Sequence, residues 1–134
     1  MDIEPEVRAV VDASAVLAWV FNERGAEIVD QVLSVSGISA VNLSEVLYKC
    51  AERRVDPEDT EADLADYGLT LLPFRGAEAR QVVFVRQAEE KAGVNLSLAD
   101  RCCIATGLVW RVPVVASDNA WEQLGVGLEV TPFR

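Results

Sequence analysis

Along the chain, short runs of β-branched and other apolar residues alternate with longer stretches whose apolar positions recur at helical spacing. The short runs fit buried strands, and the longer stretches fit helices with one face against a core. Residues 8–11 (RAVV) predict a first strand, followed by helices over 14–21 and 25–35. Residues 37–41 predict a second strand leading into a helix over about 44–54. Pro57, tolerated in a first helical turn, opens an acidic amphipathic helix that reaches about Tyr67. A third strand follows at 69–73, then a long helix over 77–92 that Gly93 ends. A cysteine-bearing helix at 98–110, a fourth strand at 113–116, a short helix at 119–124 and an edge strand at 128–130 complete the pattern. Continuous apolar strands separated by helices point to a parallel sheet covered on both faces. The expected fold is therefore α/β, a three-layer α/β/α arrangement with a mostly parallel sheet of about five strands. In such folds ligands bind beyond the carboxyl ends of the strands.

The chain has 134 residues, 51% apolar and 25% charged, which fits one globular domain over residues 1–134 with a polar start at 1–7. No apolar run is long enough to span a bilayer. The start MDIEPEVRAVVD carries acids where a signal peptide needs basic residues and an apolar stretch, so a cytosolic protein is expected. Cys50, Cys102 and Cys103 form no C-x-x-C motif and sit in apolar helical contexts, which fits buried, reduced thiols. Histidine is absent. That excludes Ser-His-Asp and Cys-His nucleophile systems, histidine acid–base nucleases and His-ligated zinc. Any hydrolysis must use carboxylates, usually with a hard cation.

Four acids stand where such chemistry needs them. Asp12 directly follows the first strand (VVDAS), and Asp118 directly follows the fourth (VVASD). Glu45 lies near the start of the helix after the second strand (AVNLSE), and Asp100 in the first turn of the cysteine helix (NLSLAD). Each also has a local reading. Asp12 and Asp118 could be helix N-caps, worth about 1 kcal/mol each. Asn42-x-x-Glu45 and Ser97-x-x-Asp100 resemble capping boxes. Two carboxylates about 5 Å apart repel by roughly 3 kcal/mol at an effective dielectric of 20. Four facing one crevice would therefore lose more than capping gains, and a bound divalent cation reverses that sign. Oxygen-only ligands select Mg²⁺ or Mn²⁺ over zinc, and such a site suits phosphodiester hydrolysis. Ser14, Ser117 and Asn42 could orient these carboxylates or a water, or act as ordinary caps.

The segments VVDASAVLAWVF, AVNLSEVLYK and LSLADRCCIATGLVWRVPVVASDNAW together resemble a PIN domain of the VapC toxin type, over about residues 8–130. The resemblance implies a PIN-like fold and Mg²⁺- or Mn²⁺-dependent endoribonuclease activity. It implies metal ligation by Asp12 and Asp100, with Glu45 and Asp118 matching the second and fourth acids of the motif. Ser117 stands where the family often has Thr, keeping the hydroxyl. VapC-type toxins are similar in usually forming homodimers and being held by an antitoxin, whose tail commonly sets a basic side chain in the acidic crevice.

The net charge of −10 is unusual for a nucleic-acid binder. Four of the negatives belong to the proposed site, and six more (Asp56, Glu58, Asp59, Glu61, Asp63 and Asp66) lie in one stretch, read as a solvated helical face. The remaining surface is near neutral, so RNA contact would fall to local cations. Lys49, one turn beyond Glu45, and Arg24, in the loop after the first helix, are the expected phosphate contacts; Arg101 adjoins Asp100. Glu45–Lys49 would equally serve as an i,i+4 surface pair. Trp19, Trp110 and Trp121 read as core or interface residues. The rival functions are a catalytically inactive PIN-like scaffold, a metal-dependent DNA nuclease and a phosphoacceptor receiver domain. The last needs adjacent acids after an early strand and a late lysine, and no lysine follows Lys91.

Overall fold

A computed structural model describes residues 6–134, apart from the side chain of Asn119. The expected polar start at 1–7 lies outside the described residues as far as position 5. In chain order the elements are β1 (Ala9–Val11), α1 (Ala13–Val20), α2 (Ala26–Val32), a 3₁₀ turn (Leu33–Val35) and β2 (Ser36–Ser39). They continue with α3 (Ala40–Glu52), α4 (Pro57–Asp66), β3 (Thr70–Leu72), α5 (Gly76–Ala92) and α6 (Leu98–Trp110). β4 (Val114–Ala116), a 3₁₀ helix (Asn119–Leu124) and β5 (Val130–Pro132) follow.

The five strands form one sheet in the order β3-β2-β1-β4-β5, and every neighbouring pair is parallel. Alternation along the strands explains the three layers. Ala9, Val11 and Val115 point into a core shared with α1, α2 and α3, whereas Val10, Val114 and Ala116 point into a second core under α5 and α6. The α/β/α fold expected from the sequence is the fold observed.

Strand order changes direction at β1. The chain runs outward through β2 and β3 on one side, then returns to lay β4 and β5 on the other. The β1–β4 boundary is thus the topological switch point, where the following loops diverge and leave a crevice.

Two of the differences from the expected boundaries have clear local reasons. The second strand was expected to reach residue 41, but Ser39 caps α3 by accepting the Val41 amide at 3.2 Å, so the helix begins at Ala40. The last strand lies at Val130–Pro132 and not at 128–130. Gly125 and Gly127, both at positive φ, extend the turn, and Leu128 is drawn into the core. Pro132, with no amide to donate, is acceptable on this outer strand.

The C-terminal segment closes the first core. Phe133 is fully buried, and its backbone and ring abut Gly25, which precedes α2 in a left-handed conformation (φ 93°). A Cβ at Gly25 would meet the Phe133 carbonyl and strain the backbone together. Gly25→Ala is expected to lower unfolding free energy by about 2–4 kcal/mol, measured as a reduced urea midpoint with an unchanged m-value.

Candidate functional site

The carboxyl ends of β1 and β4 and the starts of α3 and α6 surround one crevice of about 220 Å³. Its lining includes Asp12, Ser14, Asn42, Glu45, Asp100, Ser117 and Asp118, so all four acids and all three neighbouring polar residues expected from the sequence come together. Trp121 completes the wall.

Each acid is held locally. Asp12 is buried where β1 gives way to α1; its Oδ1 accepts the Ala15 amide at 2.8 Å. The Ser14 hydroxyl donates to the same carboxylate, 2.8 Å from Oδ1 and 2.9 Å from Oδ2. Asp12 is therefore a helix cap and a crevice residue at once. Glu45 Oε1 accepts from Asn42 Nδ2 at 3.1 Å, and the same amide donates to the Ala99 carbonyl at 3.1 Å. Asn42 thus links α3 to the start of α6 and does not cap α3, a role taken by Ser39. The Asp100 amide donates to Ser97 Oγ at 3.1 Å, one half of the expected capping box. Asp118 is exposed and caps the following 3₁₀ helix by accepting the Ala120 amide at 3.0 Å.

Electrostatics reflect this crowding. Burial pushes the Asp12 carboxyl from 3.8 to about 6; the bonds from Ala15 and Ser14 oppose the rise, and the charges of Asp100 and Glu45 add to it. Burial likewise raises Asp100 against its bonds to Ser97, with Asp118 adding to the rise. Among the described residues, no three acidic or thiol side chains are drawn close enough to enclose one ion. The acids share an open crevice but do not form a closed cage.

The only two buried side-chain polar atoms without a hydrogen-bond partner among the described residues are Asn42 Oδ1 and Trp121 Nε1, and both residues line this crevice. The Asn42 orientation is fixed, because its amide nitrogen faces two acceptors. Buried polar groups are normally satisfied, so these two atoms set the residues of this crevice apart from the rest of the described interior.

Other expectations fare differently. Lys49 is exposed, pairs with Glu52 at 3.5 Å and not with Glu45, and does not line the crevice. Arg24 is exposed beyond the far end of α1 from Asp12, a helix of eight residues spanning about 12 Å. Arg101 is turned away into an ion pair with buried Glu89, at 2.6 Å. Glu89 was not singled out by sequence reasoning; Trp121, expected as a core or interface residue, is buried in the second core and also lines the crevice. For Trp121 a signal existed: it falls three residues after Asp118, one turn of a 3₁₀ helix. Glu89 carried none, since a glutamate within a long charged helix reads as solvent-facing. Cys50, Cys102 and Cys103 are buried and free, and burial pushes the Cys103 thiol well up, so a reactive thiolate is disfavoured.

The Asp12 shift makes a testable statement about the metal-free protein. Its folded pKa of about 6 lies above the ordinary 3.8. The stability it contributes is present below the lower value and is lost as pH rises through the upper one, a change of up to about 3 kcal/mol. In EDTA, Asp12→Asn is expected to be more stable than wild type at pH 7, with the difference closing near pH 4, as read by urea denaturation at both pH values.

The PIN domain family profile matches residues 9–127. A search of curated proteins gives no significant match. Among solved structures, the chain is similar to one in VapBC2 from Rickettsia felis bound to a promoter DNA fragment, with TM-score 0.75, 12% identity, and coverage of 94% of this chain and 98% of that one. It is similar to a chain of DNA-bound VapBC from Salmonella typhimurium, with TM-score 0.74, 17% identity and coverage of 96% and 99%. It is also similar to a chain of FitAcB from Neisseria gonorrhoeae, with TM-score 0.73, 21% identity and coverage of 91% and 95%. These likenesses establish the shared fold, and with the profile match over nearly the whole sequence, the chain belongs to the PIN domain family.

Proposed function

We propose that this protein is a metal-dependent endoribonuclease, a VapC-like toxin of the cytosol controlled by a cognate antitoxin. The observation that carries the reading is the meeting of Asp12, Glu45, Asp100 and Asp118 on one crevice at the switch point of a PIN-domain sheet.

The residues present fit a hard divalent cation. Every ionisable group on the crevice is a carboxylate, a donor set that favours Mg²⁺ or Mn²⁺. Asn42 Oδ1 offers a further neutral oxygen without a partner. An open arrangement suits Mg²⁺, which keeps part of its hydration and takes one or two carboxylates plus phosphate oxygens. Asp12, Asp100 and Asp118 would hold the ion, one or two of them directly and the rest through its retained waters, with Glu45 either ligating it or orienting water. When bound, such an ion activates water and offsets charge on the scissile phosphate.

The chain's own side chains do the positioning. Ser14 holds the Asp12 carboxylate with both of its oxygens engaged, and Asn42 fixes Glu45 through Oε1. Ser117 places a hydroxyl on the wall beside Asp118. Trp121 adds a neutral ring to the wall, and its Nε1 is without a hydrogen-bond partner. Lys49 and Arg24 would meet phosphates outside the crevice. The antitoxin reading is supported by complementarity: an anionic crevice accepts a basic side chain. Several of the solved structures similar to this one are of VapBC or FitAB proteins, and one is described as a toxin–antitoxin complex.

The test is cleavage of total cellular RNA with end mapping. Wild type in Mn²⁺ is expected to give discrete cuts with 5′-phosphate and 3′-hydroxyl ends, because no histidine is present to activate a 2′-hydroxyl. EDTA or Asp100→Asn is expected to lower the rate by at least about 100-fold. Ends bearing 2′,3′-cyclic phosphate, or cleavage of DNA in preference to RNA, would contradict the proposal.

A further inference from the structure

We infer that Glu89 is a positioning residue that keeps the Arg101 guanidinium out of the acidic crevice, leaving the carboxylates free for a divalent cation. The inference rests on the metal reading of the crevice given above.

Asp100 and Arg101 are consecutive in the first turn of α6, so a long cationic side chain starts one residue from a carboxylate of the crevice. A guanidinium is the side chain best shaped to pair with carboxylates, and it is always charged. Left without a partner, Arg101 would find Asp100 next to it, with Asp12 and Asp118 on the same crevice. The two charges are already coupled: the Asp100 carboxylate contributes to raising the Arg101 pKa, after the larger effect of Glu89.

Glu89 wins this competition by geometry. Its side chain is fully buried on α5, and it accepts from Arg101 Nε at 2.6 Å and Arg101 Nη2 at 3.1 Å. The Leu96 amide donates to it at 2.8 Å, and Arg86 Nη1 at 3.3 Å. Burial acts to raise the Glu89 pKa, but the Arg101 bonds, the Leu96 amide and the charge of Arg86 outweigh it and hold it below the usual carboxylate range. Arg86 also reaches Glu90 and Asn95, so the cluster ties α5 to the connection that sets the start of α6. A purely structural staple between α5 and α6 would be served as well by apolar side chains, since buried ion pairs rarely stabilise more than a packed hydrophobic replacement. A buried carboxylate is needed if the task is to hold an arginine.

The prediction is asymmetric. Removing the anion should harm metal binding; removing the cation should not. Mn²⁺ is titrated calorimetrically into metal-free wild type, Glu89→Gln, Arg101→Gln and the double variant, each checked for fold by circular dichroism and thermal melting. Glu89→Gln is expected to weaken Mn²⁺ binding by about tenfold or more, the scale of changes behind metal ligands. Arg101→Gln and the double variant are expected to bind Mn²⁺ with wild-type affinity, even where their melting temperatures fall. Wild-type affinity in Glu89→Gln would overturn the inference, as would a tenfold loss in Arg101→Gln or in the double variant, which would mark the cluster as a staple alone. If Glu89→Gln does not fold, the Arg101→Gln and double-variant titrations still decide. A wild type that binds no Mn²⁺ would overturn the metal reading itself, and this inference with it.

Discussion

Carboxylates gathered on one crevice repel each other, and burial makes each harder to ionise. Asp12 shows both effects: it is buried at the start of α1, its pKa is pushed up to about 6, and Asp100 and Glu45 add to the rise. A sheet and two helix starts deliver these groups to one place at a cost in stability. The fold tolerates this because three of the four acids also have local work. Asp12 caps α1, Asp118 caps the last 3₁₀ helix, and Asp100 lies in the first turn of α6, where the helix dipole favours negative charge. Capping and ligation, posed by the sequence as alternatives, are compatible uses of different oxygen lone pairs.

The surroundings hold that anionic crevice in shape. Parallel strands paired in the order β3-β2-β1-β4-β5 put the ends of β1 and β4 side by side, so residues more than 100 positions apart in sequence, Asp12 and Asp118, share one wall. Asn42 joins α3 to α6 through one amide group. Glu89 joins α5 to α6 and occupies the nearest arginine. Cys103, fully buried on α6, lies near enough to Asp12, Asp100 and Glu45 for their charges to add to the rise that burial causes in its thiol pKa.

Much of this was legible in the sequence because it depends on short-range pattern. Apolar runs followed directly by acids, as in VVDAS and VVASD, mark strand ends facing a crevice. What escaped depends on distant partners or turn geometry. Asn42 looked like a cap because its spacing to Glu45 fits one; only the fold shows the Ala99 carbonyl, 57 residues away, as its second acceptor. Arg101 was noted only as adjoining Asp100, and its pairing escaped because Glu89, twelve residues earlier on another helix, carries no sign of burial. The β5 shift reflects two glycines at positive φ that lengthen a turn, which apolar periodicity does not report. Lys49 fitted helical spacing to Glu45, but Glu52, at i,i+3, is its partner.

The central claim is that the four acids exist to hold a divalent cation. The most direct test is anomalous diffraction from crystals soaked in Mn²⁺ at neutral pH. The account predicts an anomalous peak within the crevice, in contact with carboxylate oxygens of Asp12 and at least one of Glu45, Asp100 and Asp118. A crevice with no anomalous peak at saturating Mn²⁺, or ions bound only at the acidic face of α4, would contradict it.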